Sequence, residues 1–521
     1  MEKDSRQAQY PIRTVLCVFI SCIGSFSMGW TIGSPNLPAE STHNCVNGSA
    51  HDNNKNLPDC LPMSSSIWGI VVSIFCIGAL IASFLAEPAM TMLGRKATIA
   101  LSNVGWLVGA IIMGLSTSPA MFGFGRFLAG ISCGMGSVAT PTYNGEVSTI
   151  LFRGAMGVCN QLMIVCGILA SNAVGIFLSS VPLWRINYSL VAVPALLQIM
   201  LVPFLVESPR YLVSVNKHDE ARKALQVLRG PQYNIEYELD DIIQGQRKAV
   251  NTVDDDTTTT TTIEKEKGVT KEQAIIANTD TFVLKDSQTS DETCSFRDIL
   301  RDPHLRYVTL TIMMLHIAQQ FSGVNGVMYY STIIFRQSYG VDQARQLAFI
   351  GSAVNLIVTV LSVYLVERCG RRFLLLLAQS VGAISATLLV ISGHFNIPAL
   401  TSTAVMLFIS AFAIGLGPIP WLLTSELTPT RATSRVTALA TGANWLSNFG
   451  VALMFPSLLE SIHSYAFLIF GISLTLSTLL TYLFVPETKG RSIEDINNDI
   501  IARVLRDKNP TNETEFHHHG L

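Results

Sequence analysis

Seven carboxamide side chains lie within stretches of the chain that are otherwise apolar. They are Gln161, Gln319, Gln320, Asn325, Asn355, Asn444 and Asn448. An amide offers both donors and an acceptor, so a cluster of amides suits a neutral molecule that carries many hydroxyl groups. A single amide in a membrane helix can equally join two helices, a contact that contributes about 0.6 kcal/mol on average. The concentration of three amides within 319–325 favours a binding site.

Two glycines interrupt the segment that carries those three amides. On an ideal helix the side chains of Gln319 and Asn325 point about 120° apart, so they cannot share a face. Gly323 and Gly326 predict a break in the helix that brings the two amides together. A discontinuous helix near the middle of the membrane is where transporters place their binding sites.

A second break is predicted at 415–421, where Pro418 and Pro420 remove two backbone donors. Irregular backbone at membrane depth is tolerated where it lines a cavity or is buried in protein. Trp421 follows the break, and its indole offers a flat apolar face and an N–H group to a ring-shaped ligand. The alternative for Trp421 is an anchor at the membrane interface.

The composition predicts that these segments belong to a membrane bundle. Hydrophobic residues make up 49% of the 521 residues and charged residues only 14%, against about 25% charged in soluble domains. Twelve apolar stretches are long enough to cross a bilayer. They run over 14–34, 66–86, 97–118, 121–143, 155–180, 187–206, 307–335, 346–366, 373–393, 400–424, 436–458 and 465–485. The fold class expected is an all-α membrane protein with twelve transmembrane helices in two six-helix halves and intracellular helices.

The basic residues predict the orientation. Of the 35 Lys and Arg, 30 lie in the termini and in the loops after even-numbered spans, and four lie in the other loops. Because basic residues collect on the cytoplasmic side, both termini and the long central loop are expected there. The thirty-fifth, Arg126, lies inside the fourth span. The N-terminal segment lacks a signal peptide, so the first span is expected to act as the anchor.

Four segments follow from this layout. We predict an N-terminal six-helix half at 1–206, a cytoplasmic loop at 207–306, a C-terminal half at 307–486 and a cytoplasmic tail at 487–521. The loop begins with helically spaced apolar residues, which predict short amphipathic helices below the bundle. Its segment 254–262 is rich in Asp and Thr and is expected to be disordered.

Charged motifs recur at matching loops of the two predicted halves. Gly94-Arg95-Lys96 follows the second span and Gly370-Arg371-Arg372 follows the eighth. Glu146 and Arg153 follow the fourth span, and Glu426 follows the tenth. We predict that Glu146 with Arg153, and Glu367 with Arg371 and Arg372, form ion pairs when the two halves close at this end and separate when the halves move apart. Static surface charges, worth under about 1 kcal/mol each, are the alternative for any one pair.

The remaining chemistry-bearing residues predict little. Cys45 and Cys60 share the first outer loop, where oxidation is possible, and a bridge between them is left open. Asn47 begins a glycosylation sequon on the same side. The sequence contains neither a nucleophile–base pair nor a metal-ligand cluster, so we expect no enzyme activity, no cofactor and no metal. Nothing in it indicates nucleic-acid binding.

Several motifs together resemble the sugar porter family of the major facilitator superfamily. They are GRFLAG and PTYNGEVSTILFRG within 125–154, VESPRYL at 206–212, QQFSGVNGVMYYS at 319–331, VERCGRR at 366–372, GPIPW at 417–421 and VPETKGR at 485–491. Within that family, three segments resemble animal facilitative glucose transporters: GSFSMGWTIGSPN at 24–36, CNQLMIVCGILASN at 159–172 and ATGANWLSNFGVAL at 440–453. The resemblance implies the major facilitator fold. It covers most of the chain apart from the tails and about 250–290 of the central loop.

The resemblance implies specific site residues. Sugar contacts are expected from Gln161, Ile168, Gln319, Gln320, Asn325, Asn355, Trp421 and Asn444. A network of cytoplasmic ion pairs is expected from Arg95, Glu146, Arg153, Glu367, Arg371, Arg372 and Glu426. The site predicted from the cluster of amides stands independently of these residues, which the resemblance implies.

Departures from the family pattern bear on mechanism and cargo. Thr31 stands where proton-coupled sugar porters carry an Asp, which favours uniport because no titratable group then faces the cavity from the first span. Ala413 replaces a Glu that glucose carriers have. His316-Ile317-Ala318 replaces a Gln-Leu-Ser motif and resembles the hepatic type of broader specificity. Arg435 is out of register with the arginine that the family has after Glu426.

The sequence therefore predicts a facilitative D-glucose or related hexose uniporter of the plasma membrane that works by alternating access. The alternatives are a proton–sugar symporter and a carrier of fructose, galactose or trehalose. A non-transporting sensor is disfavoured because the tail after Lys489 has only about 32 residues, too short for a signalling segment. The expected partners are the sugar and the lipid bilayer, with a monomer sufficient for transport.

Overall fold

A computed structural model describes residues 3–4, 11–45, 57–149, 153–244, 296–429 and 432–489, with residues 496, 499 and 500. Helices make up most of this part of the chain. Its first ten helices lie before residue 230. They are α1 Ile12–Gly33, α2 Ala39–His43, α3 Ser65–Leu93, α4 Arg95–Gly114, α5 Pro119–Val147, α6 Arg153–Leu178, α7 Trp184–Ser189, α8 Ala192–Leu201, α9 Pro209–Ser214 and α10 His218–Arg229. A 3₁₀ turn at Val202–Phe204 follows α8.

Nine further helices lie after residue 295. They are α11 Phe296–Arg301, α12 Pro303–Phe321, α13 Val324–Arg336, α14 Val341–Cys369, α15 Arg371–His394, α16 Pro398–Ala411, α17 Ile419–Leu427, α18 Thr433–Ile462 and α19 Ala466–Phe484. A π-helical turn at Phe412–Leu416 joins α16 to α17, and a 3₁₀ turn at His463–Tyr465 precedes α19. A helical segment at 236–244 and a two-residue parallel strand pair, Lys3–Asp4 with Tyr233–Asn234, complete the elements described.

Nine helical stretches within the described residues are long and apolar enough to cross a membrane. The last of them, Arg435–Phe484, contains both α18 and α19. The stretch α5, which carries Arg126, and the broken pair α12–α13 are not among the nine. The expectation of an all-helical membrane protein is therefore confirmed, while the count of twelve spans stays a prediction.

The two predicted breaks are present, and their cause is local. Gly323 has a φ of 87° and separates α12 from α13, because a left-handed residue cannot continue a right-handed helix. Between α16 and α17 the backbone widens into the π-turn, and the N–H of Gly417 donates to the carbonyl of Phe412 at 2.9 Å. The chain therefore interrupts two helices at the positions that the glycines and prolines predict.

Close packing of α1 on α6 fixes the position of the first half's predicted site residues. A Cβ on Gly29 would lie 1.9 Å from the carbonyl oxygen of Ile164, so only a glycine allows this approach. One turn earlier, Ser25 Oγ donates to Asn160 Oδ1 at 2.5 Å. These contacts hold the segment that carries Gln161 and Ile168 against α1.

The predicted amphipathic helices are present as α9 and α10, and an arginine docks α10 on the bundle. Arg229 is 2% exposed, forms an ion pair with Glu238 at 2.6 Å and donates to the carbonyl of Val147 at 2.7 Å. That carbonyl belongs to the last turn of α5, where no intrahelical donor reaches it. The predicted disordered segment 254–262 lies outside the described residues.

Cys45 and Cys60 form a disulfide, with their Cα atoms 5.3 Å apart. It resolves the pairing that the sequence left open. The disulfide marks one end of the bundle, which we call the disulfide end. The opposite end, where α1 begins, is the termini end. Asn47, the predicted glycosylation site, lies outside the described residues.

Candidate functional site

Asn444 on α18 is the centre of a buried hydrogen-bond network between three helices. Its Nδ2 donates to Gln319 Oε1 at 2.7 Å, and its Oδ1 accepts from Gln320 Nε2 at 3.1 Å. Gln320 Oε1 in turn accepts from Asn325 Nδ2 at 2.6 Å. The structure therefore brings together four of the predicted site residues, and the break at Gly323 brings Asn325 into the cluster.

His316 completes this network, and its partners define its protonation state. The hydroxyl of Thr424 donates its only hydrogen to the carbonyl of Pro420 at 2.8 Å. Because of this, His316 Nε2, which lies 3.1 Å from that hydroxyl, must carry a hydrogen and donate it. The other nitrogen, Nδ1, is then an acceptor for Asn444 Nδ2 at 3.2 Å. The ring also packs edge-on against Trp421, with centroids 4.6 Å apart. A neutral His316 thus orients both Asn444 and Trp421.

Gln319 secures the break in the neighbouring helix. Pro420 has no N–H, so it leaves the carbonyl of Leu416 without its intrahelical donor. Gln319 Nε2 donates to that carbonyl at 2.7 Å and to the carbonyl of Gly417 at 2.9 Å. With Oε1 bonded to Asn444, both atoms of this amide are occupied. In this conformation Gln319 therefore positions the site.

Other prolines release carbonyls that side chains satisfy in the same way. Pro418 frees the carbonyl of Ile414, which accepts from Ser362 Oγ at 2.9 Å. Pro456, inside α18, frees the carbonyl of Ala452, which accepts from the hydroxyl of Tyr330 at 3.2 Å. These bonds explain how broken helices persist inside a membrane bundle, where an unpaired backbone group costs several kcal/mol.

Three of the predicted contact residues keep exposed surface. Gln161, Asn325 and Trp421 are half-buried, whereas Gln319, Gln320 and Asn444 are buried. Within the described part of the chain, the amide of Gln161 makes no hydrogen bond. Asn325 Oδ1 accepts no hydrogen bond there, and Trp421 Nε1 donates none. These groups remain available for a ligand's hydroxyl groups.

The last two predicted contacts, Ile168 and Asn355, lie apart from the amide network. Ile168 is buried in the hydrophobic core beside α1. Asn355 Oδ1 accepts from Thr359 Oγ1, one turn further along α14, at 3.5 Å. The structure therefore gathers one side of the predicted site into a network and does not connect Gln161, Ile168 or Asn355 to it by hydrogen bonds.

At the disulfide end, polar contacts join helices from before and after the central loop. Asn36 Nδ2 donates to Ser331 Oγ at 2.8 Å, and Asn36 Oδ1 accepts from the backbone N–H of Thr332 at 3.0 Å. Asn172 Nδ2 donates to Ser352 Oγ at 2.6 Å. These contacts hold the disulfide end closed in this conformation.

Glu40 on α2 and Arg336 on α13 form an ion pair across the same closure. Burial raises the pKa of Glu40, but the hydrogen bond from Asn44 and the charge of Arg336 outweigh it, so the pKa lies below its usual value. A depressed carboxyl pKa means that the contact is present above the ordinary carboxylate range and is lost as pH falls through the lowered value.

We expect Glu40→Gln to weaken this closure, because it removes the negative charge that Arg336 binds and keeps the shape of the side chain. In a Ser331→Cys background, the added substitution should raise the rate at which a membrane-impermeant thiol reagent labels Cys at that position. Without it, the labelling rate relative to that of an exposed cysteine at the same pH should not change between about pH 5 and 7.5, since an ordinary Glu titrates near 4.3. Equal labelling rates with and without Glu40→Gln would contradict a closing role for this pair.

The termini end carries the same ion-pair arrangement twice. Arg95 at the start of α4 binds Glu146 at the end of α5 through two hydrogen bonds of 2.7 and 2.9 Å. Arg371 at the start of α15 binds Glu426 at the end of α17 at 3.0 Å. In each copy the arginine also donates to a carbonyl five residues before it, at 3.3 Å.

Each copy contains an acidic residue that the sequence reasoning missed. Glu207 accepts from the backbone N–H groups of Arg95 and Lys96 at 3.0 and 3.2 Å. Glu487 accepts from those of Arg371 and Arg372 at 2.9 and 3.1 Å. A carboxylate at the first turn of a helix binds free N–H groups and stabilises the helix dipole. The glutamates of VESPR and VPETK, at matching distances after the sixth and twelfth spans, were the available signal.

Both pairs belong to the predicted ion-pair network: Glu146 binds Arg95, and Arg371 binds Glu426. The pairing of Glu146 with Arg153, and of Glu367 with Arg371 and Arg372, stays a prediction. Arg372 Nη2 donates to the carbonyl of Tyr482 at 2.5 Å. The turn at Gly94 and Gly370, with φ of 86° and 88°, places the next arginine at a helix start beside the end of a packed neighbour. The side chains of Arg153 and Glu367 lie outside the described part of the structure.

One ion pair at the termini end joins helices from before and after the central loop. Arg435 on α18 lies 3.4 Å from Glu87 on α3. Arg435, which is out of register with the family's arginine after Glu426, therefore pairs with Glu87 of another helix. Neither Glu87 nor this pairing was predicted, because Glu87 lies inside an apolar stretch of α3 whose sequence shows no neighbour for it.

The helical bundle, its two broken helices and the amide network between them define a membrane carrier for a polar, uncharged solute. The family described as "Sugar (and other) transporter" matches residues 17–500. The chain belongs to this family, and it is a multi-pass membrane transporter and not an enzyme.

Two curated relatives are facilitated glucose transporters of solute carrier family 2. Member 2 of Sus scrofa is 34% identical over 92% of this chain and 93% of its own length. Member 3 of Ovis aries is 32% identical over 94% of this chain and 93% of its own length. The predicted resemblance is confirmed.

The fold is that of the major facilitator superfamily. The xylose transporter XylE of E. coli, in a partially occluded inward-open conformation, matches with a TM-score of 0.72 and 21% identity over 92% of this chain and 100% of its own. A second structure, the proton:xylose symporter XylE bound to 6-bromo-6-deoxy-D-glucose, matches with a TM-score of 0.71 and 22% identity over 94% and 99%. At this identity the likeness carries the fold and not the coupling mechanism.

Proposed function

We propose that this protein is a facilitative hexose uniporter, with D-glucose as its main cargo, which works by alternating access. The proposal places residues 1–206 and 307–486 in two six-helix halves that rock about the site, with 207–306 and 487–521 on the cytoplasmic side. It places the carrier in the plasma membrane. The relatives named as facilitated glucose transporters support the cargo.

Uniport rests on the surroundings of Arg126. This buried guanidinium donates to the carbonyl of Thr31 at 2.9 Å and to that of Val72 at 3.1 Å. Pro35 has no N–H to donate to the Thr31 carbonyl at the end of α1, which accepts instead from the Ser34 hydroxyl at 3.3 Å and from the arginine. Among the described residues Arg126 forms no ion pair with a carboxylate. Proton-coupled transport needs a group near the site that gains and loses a proton. The partners of Arg126 here are backbone carbonyls, which do not titrate.

His316 supports the same conclusion. Its Nδ1 must be bare to accept from Asn444, while its Nε2–H is bonded to Thr424. A second proton would set two donors against each other at 3.2 Å and break the network. The network in this conformation therefore requires a neutral His316.

A pH jump tests uniport directly. In proteoliposomes, uptake of labelled glucose should follow the sugar gradient and stop at equal concentrations inside and outside. An imposed pH gradient should not change the final level. Accumulation above equilibrium, driven by an inward proton gradient, would establish proton symport instead, the activity for which the XylE structure is named.

The contact groups are tested by Gln161→Leu and Trp421→Leu. Each removes a half-buried group that is available to a sugar, and one lost hydrogen bond corresponds to about a tenfold fall in uptake at low sugar. Surface expression should persist. Gln226→Leu on α10, far from the site, is the matched control and should transport normally. Normal uptake by both site variants would remove Gln161 and Trp421 from the site.

The range of sugars is the remaining part of the proposal. Ala413 lacks the carboxylate that the resemblance leads one to expect, and His316 places an imidazole beside Trp421. Both changes favour a site that accepts more than one hexose. A competition panel of glucose, fructose, galactose and trehalose measures this, and inhibition by glucose alone would contradict it.

A further inference from the structure

A group of cations without carboxylate partners lies on the lipid-facing surface at the termini end of α14, α15 and α19. The group consists of Arg368, Arg372 and Lys489. Within the described part of the chain, none of the three forms an ion pair. The nearby carboxylate of Glu487 is occupied by backbone N–H groups of residues 371, 372, 488 and 489.

The guanidinium groups of the two arginines lie over the rings of two exposed tyrosines. Arg368 lies 4.6 Å from the ring centroid of Tyr364, whose side chain is 54% exposed. Arg372 lies 5.3 Å from the ring centroid of Tyr482, which is 61% exposed. Exposed tyrosines at the end of a membrane helix are typical of the interface between acyl chains and headgroups. The cations therefore lie at the depth of the headgroups.

Lys489 joins the two arginines into one surface. Its Nζ donates to the carbonyl of Arg368 at 2.6 Å, and the residue is exposed. Arg372 Nη2 donates to the carbonyl of Tyr482, while its Nε has no hydrogen-bond partner. Arg368 and Lys489 are exposed, so the surface presents their charges beside exposed apolar side chains that include Phe373.

The repeated turn in the first part of the chain shows that the fold does not require cations at the positions of Arg368 and Lys489, whereas Lys96 stands in the place of Arg372. There, Met92 stands in the place of Arg368, Pro88 in that of Tyr364 and Pro209 in that of Lys489. Met92 is 80% exposed. The Gly-Arg turn and its glutamate cap form equally well at Gly94 with Glu207. Formation of the turn at Gly370 therefore does not explain the two additional positive charges, Arg368 and Lys489.

We propose that Arg368, Arg372 and Lys489, flanked by Tyr364 and Tyr482, bind the headgroup of an anionic phospholipid. The negatively charged headgroup meets the cations, and the acyl chains lie along the exposed apolar side chains of α14, α15 and α19. Each basic residue near an anionic membrane surface contributes roughly a fivefold gain in affinity for that surface. The cytoplasmic leaflet is the anionic one, so the leaflet assignment rests on the orientation in the proposed function, while the binding itself does not.

Phosphatidylserine in vesicles of phosphatidylcholine is the probe. The full-length protein is reconstituted over a series of phosphatidylserine fractions, and the lipid that stays bound after detergent extraction is counted by mass spectrometry. Arg368→Gln with Lys489→Gln should weaken the preference for phosphatidylserine over phosphatidylcholine about twenty-five-fold. Arg368→Lys with Lys489→Arg keeps both charges and should retain most of the binding.

The control removes the same charge elsewhere. Lys217→Gln with Arg222→Gln should leave the lipid preference unchanged, because these two exposed cations are ion-paired with Glu220 and Glu236. If the control variant lost as much preference for phosphatidylserine as Arg368→Gln with Lys489→Gln, the effect would come from net charge alone. That result would overturn the proposed site. Displacement of phosphatidylserine by inorganic phosphate would also overturn it, in favour of a free-anion site. Lipid binding is counted without measuring transport. A negative result for the lipid site therefore does not bear on the proposed sugar cargo, and a negative transport result does not bear on the lipid site.

Discussion

Replacing Asn444 by Leu is expected to lower glucose uptake at low sugar concentration about thirtyfold. The substitution keeps the approximate volume of the side chain and removes the partner of His316 Nδ1, Gln319 Oε1 and Gln320 Nε2. At about 0.6 kcal/mol for each interhelical bond in a membrane bundle, three losses come to about 2 kcal/mol. Every 1.4 kcal/mol is tenfold in affinity. The released amides also lose their orientation towards the sugar.

The measurement is uptake of labelled glucose by proteoliposomes, together with the shift in thermal unfolding midpoint that glucose causes. Asn103→Leu is the matched control, since Asn103 Nδ2 donates only to the carbonyl of Ile99 within its own helix. It should keep both uptake and the glucose-dependent shift. If Asn444→Leu retained the glucose-dependent shift, the network would be structural and the sugar would bind elsewhere.

How much of this site the sequence can predict depends on the kind of residue. The amides and the break at Gly323 follow from residue type and spacing, because glycine alone tolerates the left-handed conformation at no steric cost. The partners of those amides do not follow. Gln319 bonds to carbonyls that Pro420 frees on another helix, and sequence spacing contains no information about which helix packs against which.

The same limit applies to the ion pairs at the termini end. The repeated Gly-Arg and Glu motifs indicate which charged residues gather there, but not which of them form pairs. The turn at glycine directs each arginine across to a neighbouring helix end, a contact that spans 51 residues in one copy and 55 in the other.

Replacing Gly370 by Ala is expected to destabilise the carrier and abolish most of its transport. The backbone here has φ 88° and ψ 152°, a region almost restricted to glycine, so any side chain adds about 1–3 kcal/mol of strain. An added Cβ would also lie 2.7 Å from Glu487 Oε2. It would displace the carboxylate that binds the N–H groups of Arg371 and Arg372, and with it the start of α15. The readouts are the thermal unfolding midpoint in detergent and glucose uptake.

Two further glycines separate strain from displacement of the cap. Gly230 has a φ of 95° but no atom within 4 Å of an added Cβ, so Gly230→Ala tests strain alone and should lower the unfolding midpoint by less. Gly340 has a φ of −68° and equally open surroundings, so Gly340→Ala should be neutral. Gly94→Ala, 2.6 Å from Glu207 Oε2, should reproduce the Gly370→Ala loss, since the two turns are built alike. A Gly370→Ala midpoint equal to that of Gly230→Ala would mean that the Glu487 cap contributes nothing, and that only the backbone conformation matters at this turn.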